Sequence, residues 1–190
     1  AELPTSVTLS PSSATITPEL MSFLGDERDR HEIKQCLLRY CRGVDRHDHE
    51  LMKSAYHEDA WDEHGPVSCP PDEFARWAIE FHGEHQIHHH HVITNSSIDL
   101  DGDTAHCETY YIFLGKNRQG PPTIAFGRYI DRLEKRAGKW GIAMRVCLNE
   151  LSGHFEESAM PPEFAAMLDS TGPKTRDGSD LSYRRPLVKT

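Results

Sequence analysis

The feature that most constrains the fold lies in the second half of the chain, where four β-rich segments follow one another at residues 88–99, 104–115, 122–134 and 139–150. Each is rich in Ile, Val, Thr, Tyr or Phe, and the connections "DGD", "KNRQGPP" and "KRAGK" carry the residues of tight turns. Strands joined by such short links pair with their sequence neighbours, so an antiparallel meander is predicted. The first half reads as helical. In "DERDRHEIKQCLLRYCRGVDRHD" the apolar positions Ile33, Cys36, Leu37, Tyr40, Cys41 and Val44 recur at steps of three and four, which predicts an amphipathic helix over about 26–46. A short helix is expected over Glu50–Tyr56, and a third after Pro70, Pro71 and Asp72, burying Phe74, Trp77, Ala78 and Phe81. Helices followed by strands give an α+β fold, with the helices packed on one face of a curved antiparallel sheet.

The ends differ from the middle. Residues 1–22, rich in Ser, Thr and Pro, read as a flexible arm, 23–153 as one domain, and 154–190 as a C-terminal extension with a short helix over Pro161–Leu168. A net charge of −9, with Lys and Arg scattered among 30 acidic residues, argues against nucleic acid as a partner. No stretch approaches the roughly 20 apolar residues that span a bilayer, and the N-terminal residues lack the pattern of a signal peptide, so no membrane partner is expected. The five cysteines, Cys36, Cys41, Cys69, Cys107 and Cys147, are odd in number and lack C-x-x-C spacing. They fit reduced thiols in a cytoplasmic protein better than a disulfide framework.

The polar residues then carry the argument. Asp45 follows Val44 at the predicted end of the first helix, where the helix dipole disfavours negative charge. Either it caps the next turn or another group holds it. Tyr40, five residues earlier on the apolar stripe, is a core tyrosine or a pocket hydroxyl. In "QIHHHHVITN" strand alternation sets His89, His91, Ile93 and Asn95 on one face, with His88 and His90 on the other. An H-x-H pair is a possible metal ligand set, yet no third ligand stands at a fixed spacing, so no metal is expected. Most of the run fits a solvated loop, whereas His91, at the start of the buried strand, suits a base paired with a carboxylate. On the last strand Arg145 shares its face with Gly141, Ala143 and Cys147; it looks into a cavity, faces solvent, or pairs with Glu108 or Glu134.

Four stretches in order, "LLRYCRGVDRHD", "HEDAWDEHG", "HHVITNSSIDLDGDTAHCETYYIF" and "GRYIDRLEKRAGKWGIAMRV", resemble the SnoaL-like branch of the nuclear transport factor 2-like superfamily, which includes scytalone dehydratase, bile acid 7α-dehydratase and hexachlorocyclohexane dehydrochlorinase. The resemblance covers about residues 25–150. It implies a cone-shaped α+β barrel around a deep pocket, a cofactor-independent activity, and a homotrimer or dimer. Carried onto this chain, it implies that Asp45 and His91 are the catalytic pair, Tyr40 and Arg145 are catalytic partners, and His90 is the adjacent second histidine. A lysine that the dehydrochlorinase carries on its first helix has no match, which argues against chloride elimination, and the second histidine of scytalone dehydratase is not placed. The extension beyond Gly153 closes the pocket mouth or crosses to a neighbouring subunit.

The pocket is expected to draw on His90, Tyr56, Trp61, Trp77, Asn95, Tyr110, Phe113 and Phe126, with Tyr111 as a further polar aromatic. Such a lining, without a phosphate cradle, points to a small hydrophobic substrate. The expected reaction is dehydratase-type elimination from an alicyclic or polycyclic hydroxy-carbonyl compound. Isomerisation or cyclisation in the same pocket is the enzymatic alternative. A ligand-binding or oxygenase small-subunit-like module is the non-catalytic one.

Overall fold

The computed structural model describes residues 17–170, 172 and 174–188. Helix α1 (Pro18–Asp45) begins two turns before its predicted start, because Thr17 is an N-cap whose side chain accepts the Leu20 N–H and Pro18 occupies the first turn. Residues 18–22 of the expected arm are therefore helical, and residues 1–16 lie outside the described residues. The predicted stripe is the buried one: Ile33, Cys36, Leu37, Tyr40, Cys41 and Val44 all face the core.

After Asp45 the chain turns through His47, in the left-handed region at φ +50, into the short helix α2 (His49–Lys53), which Asp48 caps. Gly43 makes this corner possible. A Cβ there would stand 2.4–2.5 Å from the Met52 backbone, so only glycine lets the two helices come this close. The end of α1, and with it Asp45, is thereby fixed against the sheet.

Strands β1 (Tyr56–Glu63) and β2 (Ser68–Cys69) precede α3 (Pro71–His85), and β3 (Gln86–Asp101), β4 (Thr104–Asn117), β5 (Thr123–Arg136) and β6 (Lys139–His154) follow. The last four form the predicted meander. The sheet nevertheless has six strands in the order β2-β1-β6-β5-β4-β3, and β1, whose segment carries no predicted strand, runs parallel to β6. The fold is the expected α+β cone, but its sheet is mixed rather than wholly antiparallel and remains open between the edge strands β2 and β3.

Bulges bend the sheet and change which residues face inward. One lies between Ile93 and Ser96 on β3, and another opposite Arg132 and Leu133 inserts Ala143 into β6. Beyond the second, the inward set passes from Trp140 and Ile142 to Arg145, although simple alternation separates them.

The described part of the C-terminal extension begins with helix α4 (Pro162–Asp169) and ends on the corner between α1 and α2. There Arg46 donates to the Thr175 carbonyl at 3.1 Å, Arg42 donates to Ser182 Oγ at 3.2 Å, and the Tyr183 hydroxyl donates to Asp48 at 2.8 Å. The five cysteines are free thiols. Among the described residues no helix is long and apolar enough to cross a membrane.

Candidate active site

A cavity of about 600 Å³ opens between the helices and the concave face of the sheet. Tyr40, Phe74 and Trp77 supply its helical wall, and Tyr111, Phe113 and Tyr129 its sheet wall. The polar groups set into this aromatic lining include three histidines, His91, His82 and His64.

The run of four histidines resolves as strand alternation requires. His89 and His91 point inward, while His90 is exposed on the outer face and so is not a pocket residue. Both oxygens of the Asp45 carboxylate accept the His91 backbone N–H at 3.1 Å, and Oδ1 lies 2.8 Å from His91 Nδ1. This answers the unfavourable place of Asp45 at a helix C-terminus: the start of β3 supplies the donors that the helix end lacks. Nδ1 carries the proton that faces the carboxylate, which leaves Nε2 as the basic nitrogen of an imidazole lining the cavity.

The imidazoles behind His91 are held neutral. The guanidinium of Arg176 only donates, so its 3.1 Å contact makes His89 Nδ1 an acceptor and puts the His89 proton on Nε2, 3.2 Å from the Val44 carbonyl. Burial, reinforced by the neighbouring His82 and His91, drives the His89 pKa far below its ordinary value. Burial and the adjacent His91 lower His82 to about 3, with its Nδ1 2.9 Å from Gln86 Oε1. Burial and Arg176 lower His47 to about 4. Asp45, His89 and His91 bring potential ligand atoms within 4.8 Å of one another. They do not fit a metal in this arrangement, because both nitrogens of His89 are already engaged and His91 gives Nδ1 to the carboxylate.

Tyr40 is buried against the cavity, and among the described residues its hydroxyl makes no hydrogen bond. Arg145 is not available to a ligand. It is fully buried, Nε and Nη2 pair with the two Asp131 oxygens at 2.7 and 2.8 Å, and its guanidinium lies 4.1 Å from the Tyr40 ring and 4.2 Å from that of Tyr129. Burial works against its charge, but Asp131 holds it protonated. Its partner is thus neither Glu108 nor Glu134, and it forms the floor beneath the tyrosines.

Of the expected lining, Trp77 and Phe113 face the cavity. Tyr56 is buried below it, donating to Asp62. Trp61, Tyr110 and Phe126 are exposed, at 42%, 44% and 38%, because they take the outward positions of β1, β4 and β5. The bulge after Ile93 turns Asn95 outward as well.

His64 has no assigned part in the sequence reading. It follows β1, lines the cavity, and sets Nδ1 2.9 Å from Oδ1 of the fully buried Asp62, whose other oxygen accepts the Tyr56 hydroxyl at 2.5 Å. Burial alone would lower its pKa, but the hydrogen bond with Asp62 and the neighbouring Cys147 outweigh that and raise it to about 9. The signal present in the sequence is D-x-H at the end of a segment with inward positions at Ala60 and Asp62, and it becomes legible only once β1 is recognised as a strand.

Solved structures share this architecture at low identity. A scytalone dehydratase-like protein from Novosphingobium aromaticivorans is 18% identical, with a TM-score of 0.63 over 72% of this chain and 94% of its own. Hexachlorocyclohexane dehydrochlorinase LinA-type3 from Novosphingobium barchaimii is 17% identical, with a TM-score of 0.66 over 74% and 99%. A protein of unknown function from Mycobacterium tuberculosis is 23% identical, with a TM-score of 0.60 over 72% and 78%. Identities this low speak for the fold alone. No curated protein matches the chain. The SnoaL-like domain matches residues 27–146, a span that runs from α1 into β6 and takes in Asp45, His64 and His91; the chain therefore belongs to the SnoaL-like family of the nuclear transport factor 2-like superfamily.

Proposed function

We propose that the protein is a cofactor-independent lyase that eliminates water from a compact, mostly apolar hydroxy-carbonyl compound, alicyclic or polycyclic. The observation that carries the reading is the Asp45–His91 pair, with its 2.8 Å contact at the wall of an aromatic cavity. His91 Nε2 removes a proton alpha to the carbonyl; Asp45 fixes the tautomer and stabilises the imidazolium that forms. The neutral state of His82, His89 and His47 keeps further positive charge away from that imidazolium. Tyr40 offers a hydroxyl to the developing oxyanion. Related proteins that bear the names of a dehydratase and a dehydrochlorinase support elimination as the reaction class. A homo-oligomer, trimer or dimer, belongs to the same proposal. Its support is the apolar outer face of the sheet, where Tyr110, Phe126, Ile130 and Leu148 are exposed.

The test is incubation of wild-type, Asp45→Asn and His91→Ala protein with cyclic β-hydroxy ketones in deuterated water, followed by mass spectrometry. Loss of water with wild-type protein and a drop of ~10²–10⁴-fold in each variant is the expected result. Undiminished turnover by His91→Ala would sink the base assignment. A new compound, separable from the substrate and of unchanged mass apart from deuterium, would instead mean isomerisation.

A further inference from the structure

The pocket holds a second histidine whose surroundings are arranged as carefully as those of His91. The strand order puts β6, β5 and β4 between β1 and β3, so His64 and His91 stand on opposite flanks of the curved sheet with the cavity between them. His64 lies against the Phe74 ring at 4.7 Å, and Asp62 takes one donor on each oxygen, Tyr56 and His64. The charged and titratable groups packed around this set are Asp62 and Tyr56 from β1, Cys69 from β2, Cys147 and Arg145 from β6, Asp131 and Tyr129 from β5 and Tyr40 from α1. Arg145 is already engaged by Asp131, so His64 is the cation that Asp62 directly supports at the cavity wall. A buried ion pair is often no more stabilising than an apolar filling of the same volume, which directs attention to what the pair does for the pocket.

We propose that His64 is a second catalytic residue, the general acid facing the leaving group, with Asp62 and Tyr56 as the residues that position it. The proposal rests on the elimination reading for His91 and narrows the substrate: the acidic C–H lies toward His91, and the departing oxygen lies toward His64. The balance is complete without a cofactor. His91 Nε2 takes the proton, the C–H electron pair becomes the new C=C bond, and the C–O bond breaks with its electrons passing to oxygen. His64 Nε2–H protonates that oxygen, so water leaves. Solvent then carries the proton from His91 back to His64, and both return to their starting states.

The test compares two leaving groups in one cyclic ketone framework, β-hydroxy, which needs protonation to depart, and β-acetoxy, which does not. With wild-type protein both substrates eliminate. His64→Gln is expected to slow the hydroxy ketone by ~10²-fold or more and the acetoxy ketone much less, so that the ratio of the two rates falls at least about tenfold. His91→Ala slows both. A variant that simply folds poorly loses both rates together and leaves the ratio unchanged, so the ratio separates chemistry from damage. Asp62→Asn supplies the second measurement: the His64 imidazole resonance titrates at lower pH, and the alkaline limit of hydroxy-ketone elimination moves down with it. An unchanged ratio in folded His64→Gln would overturn the acid while leaving the base standing. If wild-type protein eliminates from neither ketone, the elimination reading falls and takes this proposal with it.

Discussion

Arg145 illustrates how one unseen partner redirects a residue. Its guanidinium meets Asp131 on two parallel bonds with both side chains fully buried. Breaking such a pair leaves an uncompensated charge in the interior and costs about 3–5 kcal/mol, whereas replacing both partners with apolar residues is often neutral. Arg145→Met is therefore expected to lower the urea midpoint strongly, and Arg145→Met combined with Asp131→Leu to recover most of that loss. A double variant no more stable than the single one would contradict this account. Arg176 makes a different prediction. Removing its guanidinium in Arg176→Ala frees His89 Nδ1, so long-range ¹H–¹⁵N spectra should change from a single Nε2–H form of His89 to a mixture of tautomers. At this scale the sequence was legible where a residue sits on a regular periodicity. Tyr40, Asp45 and His91 occupy places that helix stripe and strand alternation predict. Arg145 and Asn95 did not follow, because a bulge lies beside each and no local pattern marks an inserted residue.

Among the elements, the meander and the buried stripe of α1 could be read directly, since short turns force neighbours to pair and helical spacing identifies the inner face. β1 could not. Its sequence, "YHEDAWDE", is acidic, only its inward positions Tyr56, Ala60 and Asp62 are buried, and its partner β6 lies some eighty residues away in parallel orientation, so no turn announces the pairing. Missing β1 also meant missing His64. The corner between α1 and α2 gives the clearest prediction for an element. In Gly43→Ala the added methyl overlaps the Met52 backbone, and relief requires the helices to separate. Overpacking of this kind costs ~1–3 kcal/mol. Because Asp45 is two residues on, the variant is expected both to melt earlier and to weaken the contact between Asp45 and His91, which the His91 imidazole shifts would report. A melting temperature equal to that of wild-type protein would show the corner to be compliant.

For the molecule as a whole, the histidines set opposite limits on stability. His64 has a folded pKa of about 9, above its ordinary 6.5. Its contribution, on the order of 3 kcal/mol for a shift of that size, is complete below the unfolded value and disappears as pH rises through about 9. His82 and His47, lowered to about 3 and about 4, act in the other sense. They favour the fold above the unfolded value and cost stability as pH falls below it. The melting temperature is accordingly expected to peak near pH 6.5 and to decline on both sides, with Asp62→Asn removing mainly the alkaline decline. Calorimetry across pH 4–10 measures this, and a curve still rising at pH 9 would refute the part given to His64.

The contact between Arg176 and His89 joins residues 87 positions apart, and it is made by a segment that follows every strand of the sheet. On a ribosome, the cavity and the Asp45–His91 pair can assemble before that segment emerges, whereas the proton of His89 is assigned only afterwards. A chain ending between β6 and Arg176 would thus keep every strand of the sheet but lack the donor that sets the His89 tautomer, so the order of translation doubles as an order of chemical maturation.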